Sequence, residues 1–240
     1  MKKFAKMAVA AAIAGMAVMA QAAPIIIDDF STDQAFLLDT GPVNAFGLSS
    51  TVTGGGILGG WRDLYVQKTS GTNSKTASIG VEAGDLSFDS GSASSGFGII
   101  RWDGSHFDGF ATIDAVGLGG VDFSTAGIGF FVQVTSADLG FPFTLNAYTN
   151  AGNSTSLTLF SGGPGGYFIP FAAFAFGVQT GAGADFSNIG ALEAIINTGG
   201  FTTSVDLTIQ LVQSVPEPGT MALAGLALMG LGAIRRRKQA

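Results

Sequence analysis

The chain contains no cysteine and only one histidine in 240 residues. Without cysteine it has no disulfide, no thiol nucleophile and no cysteine-based zinc site, so the packing of its core must stabilise the fold. The histidine, His106, stands in the polar run DGSHFDG, and no G-x-S-x-G segment of the kind that presents a serine nucleophile occurs. Nothing around His106 supplies an evident nucleophile, so we predict a non-catalytic protein.

Positive charge is also scarce, and most of it lies at the two ends of the chain. Only 11 residues are Lys or Arg against 17 Asp or Glu, and four of the basic residues fall in the central body: Arg62, Lys68, Lys75 and Arg101. Nucleic acid and anionic membrane surfaces should repel such a body. The negative charge either suits cations such as calcium or serves solubility alone.

Glycine and aromatic residues are abundant, with 37 Gly and 20 Phe. Turn-forming residues between short β-favouring runs predict an all-β fold, and the aromatic content excludes a disordered chain. In the last run Val205, Leu207, Ile209 and Leu211 alternate with polar residues, which indicates a strand with one buried face. The predicted strands are 24–30, 61–67, 76–90 as a hairpin about Ala83-Gly84, 97–102, 128–135, 143–150, 154–160, 166–170, 192–197 and 205–212.

A short pattern, D-F-S-[TN], occurs three times in the body, at residues 29–32, 122–125 and 185–188. Asp and Ser side chains can bond nearby backbone N–H groups and fix a turn, while the Phe can reach into the core. The spacing is too irregular for a solenoid. We therefore interpret the pattern as a turn device.

The first 22 residues have the layout of a secretory signal peptide. Lys2, Lys3 and Lys6 form a charged region, an apolar stretch runs from Met7 to Met19, and Ala20-Gln21-Ala22 fits the small-x-small cleavage rule. We predict cleavage after Ala22. The alternative is a buried N-terminal helix.

The last stretch, residues 215–240, has three parts in a fixed order: Pro216-Glu217-Pro218, the apolar run Met221 to Ile234, and the basic cluster Arg235, Arg236, Arg237 and Lys238. The apolar run predicts a hydrophobic helix, and the basic cluster would stay on the cytoplasmic side of a membrane. Fourteen helical residues span about 21 Å, less than the roughly 30 Å hydrocarbon core. Such a span suits a transient anchor in the inner membrane.

This tail resembles the PEP-CTERM sorting signal of exported proteins in Gram-negative bacteria. The resemblance implies that a membrane protease of the exosortase type recognises Pro216, Glu217 and Pro218 and cleaves nearby. It also implies release to the cell surface or the extracellular matrix.

The body resembles the jelly-roll β-sandwiches of carbohydrate-binding modules and galactose-binding-like domains. The resemblance rests on the order GFGIIRWDG, GLGGVDFSTAGIGFFVQV, YFIPFAAF, ADFSNIGALEAIIN and VDLTIQLV. It implies a structural calcium ion between the first and last strands, held by Asp28 or Asp29 with Asp206. The loop that carries Asp103 and Asp108 is a second candidate for calcium.

Sugar binding requires exposed aromatic platforms beside polar groups. The candidates are Trp61 and Trp102, followed by Tyr65, Tyr148 and Tyr167. Residues 23–214 are thus expected to form one β-sandwich between a signal peptide and a sorting tail. We expect an exported surface or matrix protein that binds polysaccharide; the alternatives are a secreted hydrolase and an adhesive or ice-binding surface protein.

Overall fold

The computed structural model describes residues 23–43, 45–72, 74–105, 112–138 and 140–216. In these residues three short 3-10 turns, Leu58–Gly60, Phe171–Phe176 and Thr198–Gly200, interrupt the β-strands. Within the described ranges the strands are β1 (Ile26–Asp28), β2 (Gln34–Asp39), β3 (Leu48–Thr53), β4 (Trp61–Ser70), β5 (Ala77–Glu82), β6 (Asp85–Ser90), β7 (Ser95–Trp102), β8 (Gly129–Ala137), β9 (Pro142–Asn150), β10 (Asn153–Phe160), β11 (Gly165–Pro170), β12 (Val178–Thr180), β13 (Ala191–Ile196) and β14 (Asp206–Val215).

The strands form two separate sheets, which we name sheet A and sheet B. Sheet A has the order β11-β8-β14-β6-β5-β2, with β1 also paired to β14, and sheet B has the order β12-β10-β9-β13-β7-β4-β3. Every paired neighbour is antiparallel. The predicted all-β sandwich is confirmed.

The order of strand pairing is that of a jelly roll. Strand β9 pairs with β10, β8 with β11, β7 with β13 and β6 with β14, so the pairs are nested from the centre of the sequence outward. This nesting sends the chain back and forth between the two sheets. The early strands then widen the sandwich, because β2 and β5 extend sheet A while β3 and β4 extend sheet B.

The core lies between the sheets and is built from alternate residues of each strand. Sheet A contributes side chains such as Phe88 and Val132, and sheet B contributes Leu64, Ile100 and Ile196, all at most 3% exposed. Each fully buried side chain of this kind stabilises the fold by about 1.5–3 kcal/mol. The intervening residues of sheet B point to its other side, which we call the outer face.

The D-F-S pattern is confirmed as a turn device. Asp29 Oδ1 accepts the Ser31 N–H, Asp122 Oδ1 accepts the Ser124 hydroxyl at 2.7 Å, and Asp185 Oδ1 accepts the hydroxyl and N–H of Ser187.

The phenylalanines of these turns reach the core, as the pattern predicted. Phe30 and Phe123 are fully buried, and the ring of Phe186 stacks on Phe171 with centroids 4.3 Å apart. The second and third turns are also joined directly, since the Phe123 N–H donates to the Phe186 carbonyl at 2.8 Å. The two turns therefore fix the packing of one aromatic cluster.

The predicted signal helix over 1–22 and the predicted hydrophobic helix from Met221 lie outside the described residues. Across the ranges that are described, no helix has the length and apolar character needed to cross a membrane.

Candidate functional site

The outer face of sheet B carries a row of polar side chains that crosses four adjacent strands. Strand register aligns Asp63 of β4 with Arg101 of β7, Arg101 with Glu193 of β13, and Glu193 with Asn146 of β9. We call these four residues the outer row. They share a face because each strand presents alternate residues to the same side.

Hydrogen bonds join three members of the outer row, Arg101, Glu193 and Asn146. Arg101 Nη2 and Nε donate to Glu193 Oε2 at 2.8 and 3.1 Å, and Asn146 Nδ2 donates to Glu193 Oε1 at 2.8 Å. Arg101 Nη1 also donates to the Thr112 carbonyl, which brings the segment after residue 111 against this face. The side chains of Arg101 and Glu193 are only 7% and 8% exposed. The row is therefore a fixed, largely covered polar floor.

One acceptor of this floor is not used. Within the described part of the chain, Asn146 Oδ1 is buried and has no hydrogen-bond partner. A buried polar atom without a partner costs about 1–3 kcal/mol.

Two aromatic residues flank the same floor on one side. Trp61 precedes Asp63 by two residues on β4, and Tyr148 follows Asn146 by two on β9, so in antiparallel strands both lie one row further toward the same end. Three strand spacings separate them, or about 14 Å. Both side chains are partly buried.

The hydroxyl of Tyr148 stays protonated at physiological pH. Burial, and then the nearby negative charge of Glu193, raises the pKa of Tyr148 to about 12. The group can therefore donate a hydrogen bond to a ligand. The structure thus brings Trp61 and Tyr148, two predicted platforms, to one polar face.

The other predicted aromatics take different positions. Tyr65 shares the outer face, where its hydroxyl donates to Gln67 Oε1 at 3.0 Å and its ring contacts Phe97. Tyr167 lies in sheet A, and its hydroxyl bonds the backbone of Gly162 and Gly163.

The prediction of an exposed platform at Trp102 is wrong. Its side chain is 1% exposed and points between the sheets, and its indole N–H donates to Asp28 Oδ2 at 2.8 Å. The strand alternation that brings Arg101 to the outer face places the next residue in the core.

Asp28 is the centre of a buried ion pair. Arg62 Nη1 donates to its two oxygens at 2.9 and 3.1 Å, and both side chains are fully buried. Burial raises the pKa of the Asp28 carboxyl above its ordinary value, and the Arg62 guanidinium opposes that rise. Gln34 accepts from Arg62 Nε at 2.8 Å, and the Phe30 ring lies 5.5 Å from the guanidinium carbon. Asp28 was predicted to bind calcium, but its negative charge is instead balanced by the Arg62 guanidinium.

The predicted pairing of Asp28 or Asp29 with Asp206 is also wrong. Asp28 is in register with Val212 of β14, six residues from Asp206. At the usual rise that is about 20 Å, too far for one ion. Asp206 instead lies opposite Asp89. Burial raises the pKa of the Asp206 carboxyl, and the hydrogen bond and negative charge of Asp89 raise it further.

At the second predicted calcium loop, Asp103 accepts hydrogen bonds from Ser105 and from the Asp114 N–H. Asp108 and His106 lie outside the described residues. Within the part of the chain that the structure covers, no three His, Cys, Asp or Glu side chains are grouped to hold a metal ion. Calcium binding elsewhere in the chain stays a prediction.

The outer row was not identified from the sequence, although its composition carried a signal. Arg101 is one of four basic residues of the body, and Glu193 is one of only two glutamates between residues 23 and 214. Arg62, Lys68 and Arg101 are all buried. Such scarce charges inside strand patterns could have been expected to pair.

Residues 214–238 match the family model described as the PEP-CTERM protein-sorting motif. No curated protein matches the chain. The resemblance of the tail is therefore confirmed, and the motif implies an exported protein that an exosortase, a membrane protease, processes for surface or extracellular placement.

The match begins within the folded body. Ser214 and Val215 belong to β14, and Pro216 follows the strand directly. Outside the described residues lie Glu217, Pro218, the basic residues Arg235, Arg236, Arg237 and Lys238, and the predicted signal-cleavage residues Ala20 and Ala22.

Proposed function

We propose that the body is a non-catalytic domain that binds polysaccharide on the outer face of sheet B after export and sorting. The observation that carries the proposal is the arrangement of Trp61 and Tyr148 in one cross-strand row beside the polar outer row. Aromatic rings provide stacking surfaces for sugar rings. A sorting route that ends outside the cell would bring this face to extracellular polymer.

The charge of the body favours an uncharged glycan. Body cations are few, and three of the four are buried, so little exposed positive charge is available to hold uronate or sulfate groups. An anionic polymer would meet net repulsion from the acidic surface.

The test measures retention of the mature body, residues 23–215, by polysaccharide from the native host in affinity electrophoresis. Tyr148→Ala and Trp61→Ala should each weaken binding by about tenfold, the loss expected from one aromatic contact and its buried area. Phe168→Ala is the matched control, because Phe168 is an exposed aromatic of sheet A. Equal retention of all three variants would refute the proposed face.

A second candidate, glycoside hydrolysis, is favoured by one observation. Asp63 and Glu193 flank Arg101 on neighbouring strands. Their backbones are about 10 Å apart, and carboxyl groups of inverting glycosidases lie about 6.5–9.5 Å apart. Against it, both oxygens of Glu193 are engaged by Arg101 and Asn146. Release of reducing ends that Glu193→Gln abolishes would support hydrolysis over binding.

A further inference from the structure

Both ends of the body leave the sandwich at the same place. β1 pairs antiparallel with the last part of β14, with Ile26 opposite Gln213. The Ile25 N–H donates to Ser214 Oγ at 2.7 Å, and the Ser214 N–H donates to the Ile25 carbonyl at 2.8 Å. The chain end that follows the predicted signal-cleavage position therefore lies beside the strand that enters the sorting motif.

No spacer separates the folded body from the sorting motif. The Val215 carbonyl still accepts the Ile128 N–H at 2.9 Å, and Pro216 is the next residue. A Cβ on Gly127 would lie 2.1 Å from that carbonyl, so this turn is closely packed around the exit of the chain.

The distance from the body to the apolar run is short. Five residues, 216–220, stand between Val215 and Met221, and the fully extended chain between those two residues spans about 22 Å at most. An enzyme that cleaves within or beside these residues must approach the folded body as closely. We call the surface around the exit, formed by residues 23–26, 127–129 and 214–216, the exit pole.

The exit pole carries no charge and includes two partly exposed isoleucines. The three segments that meet there, residues 23–27, 123–137 and 207–216, contain no charged residue. Ile26 and Ile128 are 39% and 37% exposed beside the exit. In an acidic protein, an uncharged and partly apolar surface at this position can approach a protein embedded in a bilayer without desolvating charge.

We propose that the exit pole is a docking surface for the membrane-embedded sorting protease, which contacts Ile26 and Ile128 while it holds the motif. The inference rests on motif-directed processing and is independent of glycan binding. It adds a folded element to a signal otherwise confined to the tail.

The experiment follows the full-length precursor in its native host and measures the fraction with the tail removed by intact mass spectrometry. Ile128→Glu and Ile26→Glu should each lower the processed fraction several-fold, because a carboxylate would have to be desolvated at the contact. Leu38→Glu is the matched control, since Leu38 is a 54% exposed residue of β2, at the opposite border of sheet A from β11.

A variant with a flexible spacer distinguishes loss of docking from misfolding as the cause of lower processing. Eight Gly and Ser residues inserted after Val215 add roughly 15 Å of flexible chain and should restore processing of Ile128→Glu. A variant that misfolds would not be rescued by a longer tail, so failure of the rescue overturns the proposal. Processing of Ile128→Glu and Ile26→Glu at the rate of Leu38→Glu also overturns it.

A further variant distinguishes this proposal from the underlying sorting assignment. Replacing Pro216 and Pro218 by Ala should block tail removal. If that variant is processed normally, motif-directed sorting itself fails; if it is blocked while Ile128→Glu is processed normally, only the exit pole fails.

Discussion

Two arginine–carboxylate pairs lie on opposite faces of sheet B and have different surroundings. Arg62 of β4 points into the sandwich and meets Asp28, whereas Arg101 of the neighbouring β7 points outward and meets Glu193. The inner pair is enclosed by Trp102 and other core groups that satisfy it. The outer pair adjoins Asn146, whose Oδ1 has no partner among the described residues. Burial of an ion pair alone therefore does not mark a binding site.

The inner pair should give the largest effect on stability. Asp28→Asn leaves the Arg62 guanidinium charged and buried without compensation, so we expect a loss of about 3–5 kcal/mol in the free energy of unfolding. Urea denaturation of the mature body measures it. A double variant, Asp28→Asn with Arg62→Gln, should recover part of the loss because the uncompensated charge is removed. A loss below 1 kcal/mol for the single variant, on the scale of an exposed pair, would contradict this account.

The outer pair should give a smaller effect on stability and a larger one on binding. Glu193→Gln removes charged hydrogen bonds to Arg101, at a cost of about 1.5–3 kcal/mol, and Asp63 lies opposite Arg101 to offset part of its charge. Glu193 also accepts a hydrogen bond from Asn146. The variant should therefore lose more polysaccharide retention than a small drop in melting temperature alone would explain. A change in stability without a change in retention would make the outer pair structural like the inner one.

The carboxylates of the D-F-S turns, Asp122 and Asp185, are exposed, unlike those of the two arginine pairs. Hydrogen bonds from Ser124 and Ser187 lower the pKa of Asp122 and of Asp185 below the ordinary 3.8. Their contribution to stability is thus complete above pH 3.8 and is lost as the pH falls through the lower folded-state values. Asp185→Ala should lower the melting temperature at pH 7 by less than Glu193→Gln does, and the difference from wild type should vanish in strong acid.

The smallest predicted effect is a gain in stability, on replacing Asp206. Asp206 and Asp89 are like charges directly opposite each other, and the pKa of Asp206 is raised, so its ionisation opposes folding. That cost is absent below pH 3.8 and complete above the raised folded-state pKa. Asp206→Asn should stabilise the body by about 0.2–1 kcal/mol at pH 7 and have little effect at pH 3. Thermal melts at the two pH values test it.

The sequence predicted the strands whose alternation matches their burial. The 76–90 hairpin, the strands 143–150 and 154–160 and the final strand were found near their predicted positions. Three strands were missed. In β2 the terminal Gln34 and Asp39 are buried while Phe36 and Leu38 are exposed, which inverts the usual pattern. β3 reads LSSTVT at the border of sheet B, and β12 has only three residues.

The candidate site was harder to predict, because it depends on register between strands distant in sequence. Asp63, Arg101, Glu193 and Asn146 come from four strands, and only the jelly-roll pairing aligns them. Register likewise decided against calcium at Asp28 and Asp206, since β1 pairs with the far part of β14. The tail was predictable because its signal is local in sequence.

Burial of Arg62, Lys68 and Arg101 affects how copies of the protein interact in solution. Once the tail is cut near its motif, Arg235, Arg236, Arg237 and Lys238 are lost, and the mature molecule presents a surface rich in carboxylates. Copies of it repel one another over the Debye length, about 10 Å at 0.1 M salt. The repulsion between copies should therefore weaken as the salt concentration rises.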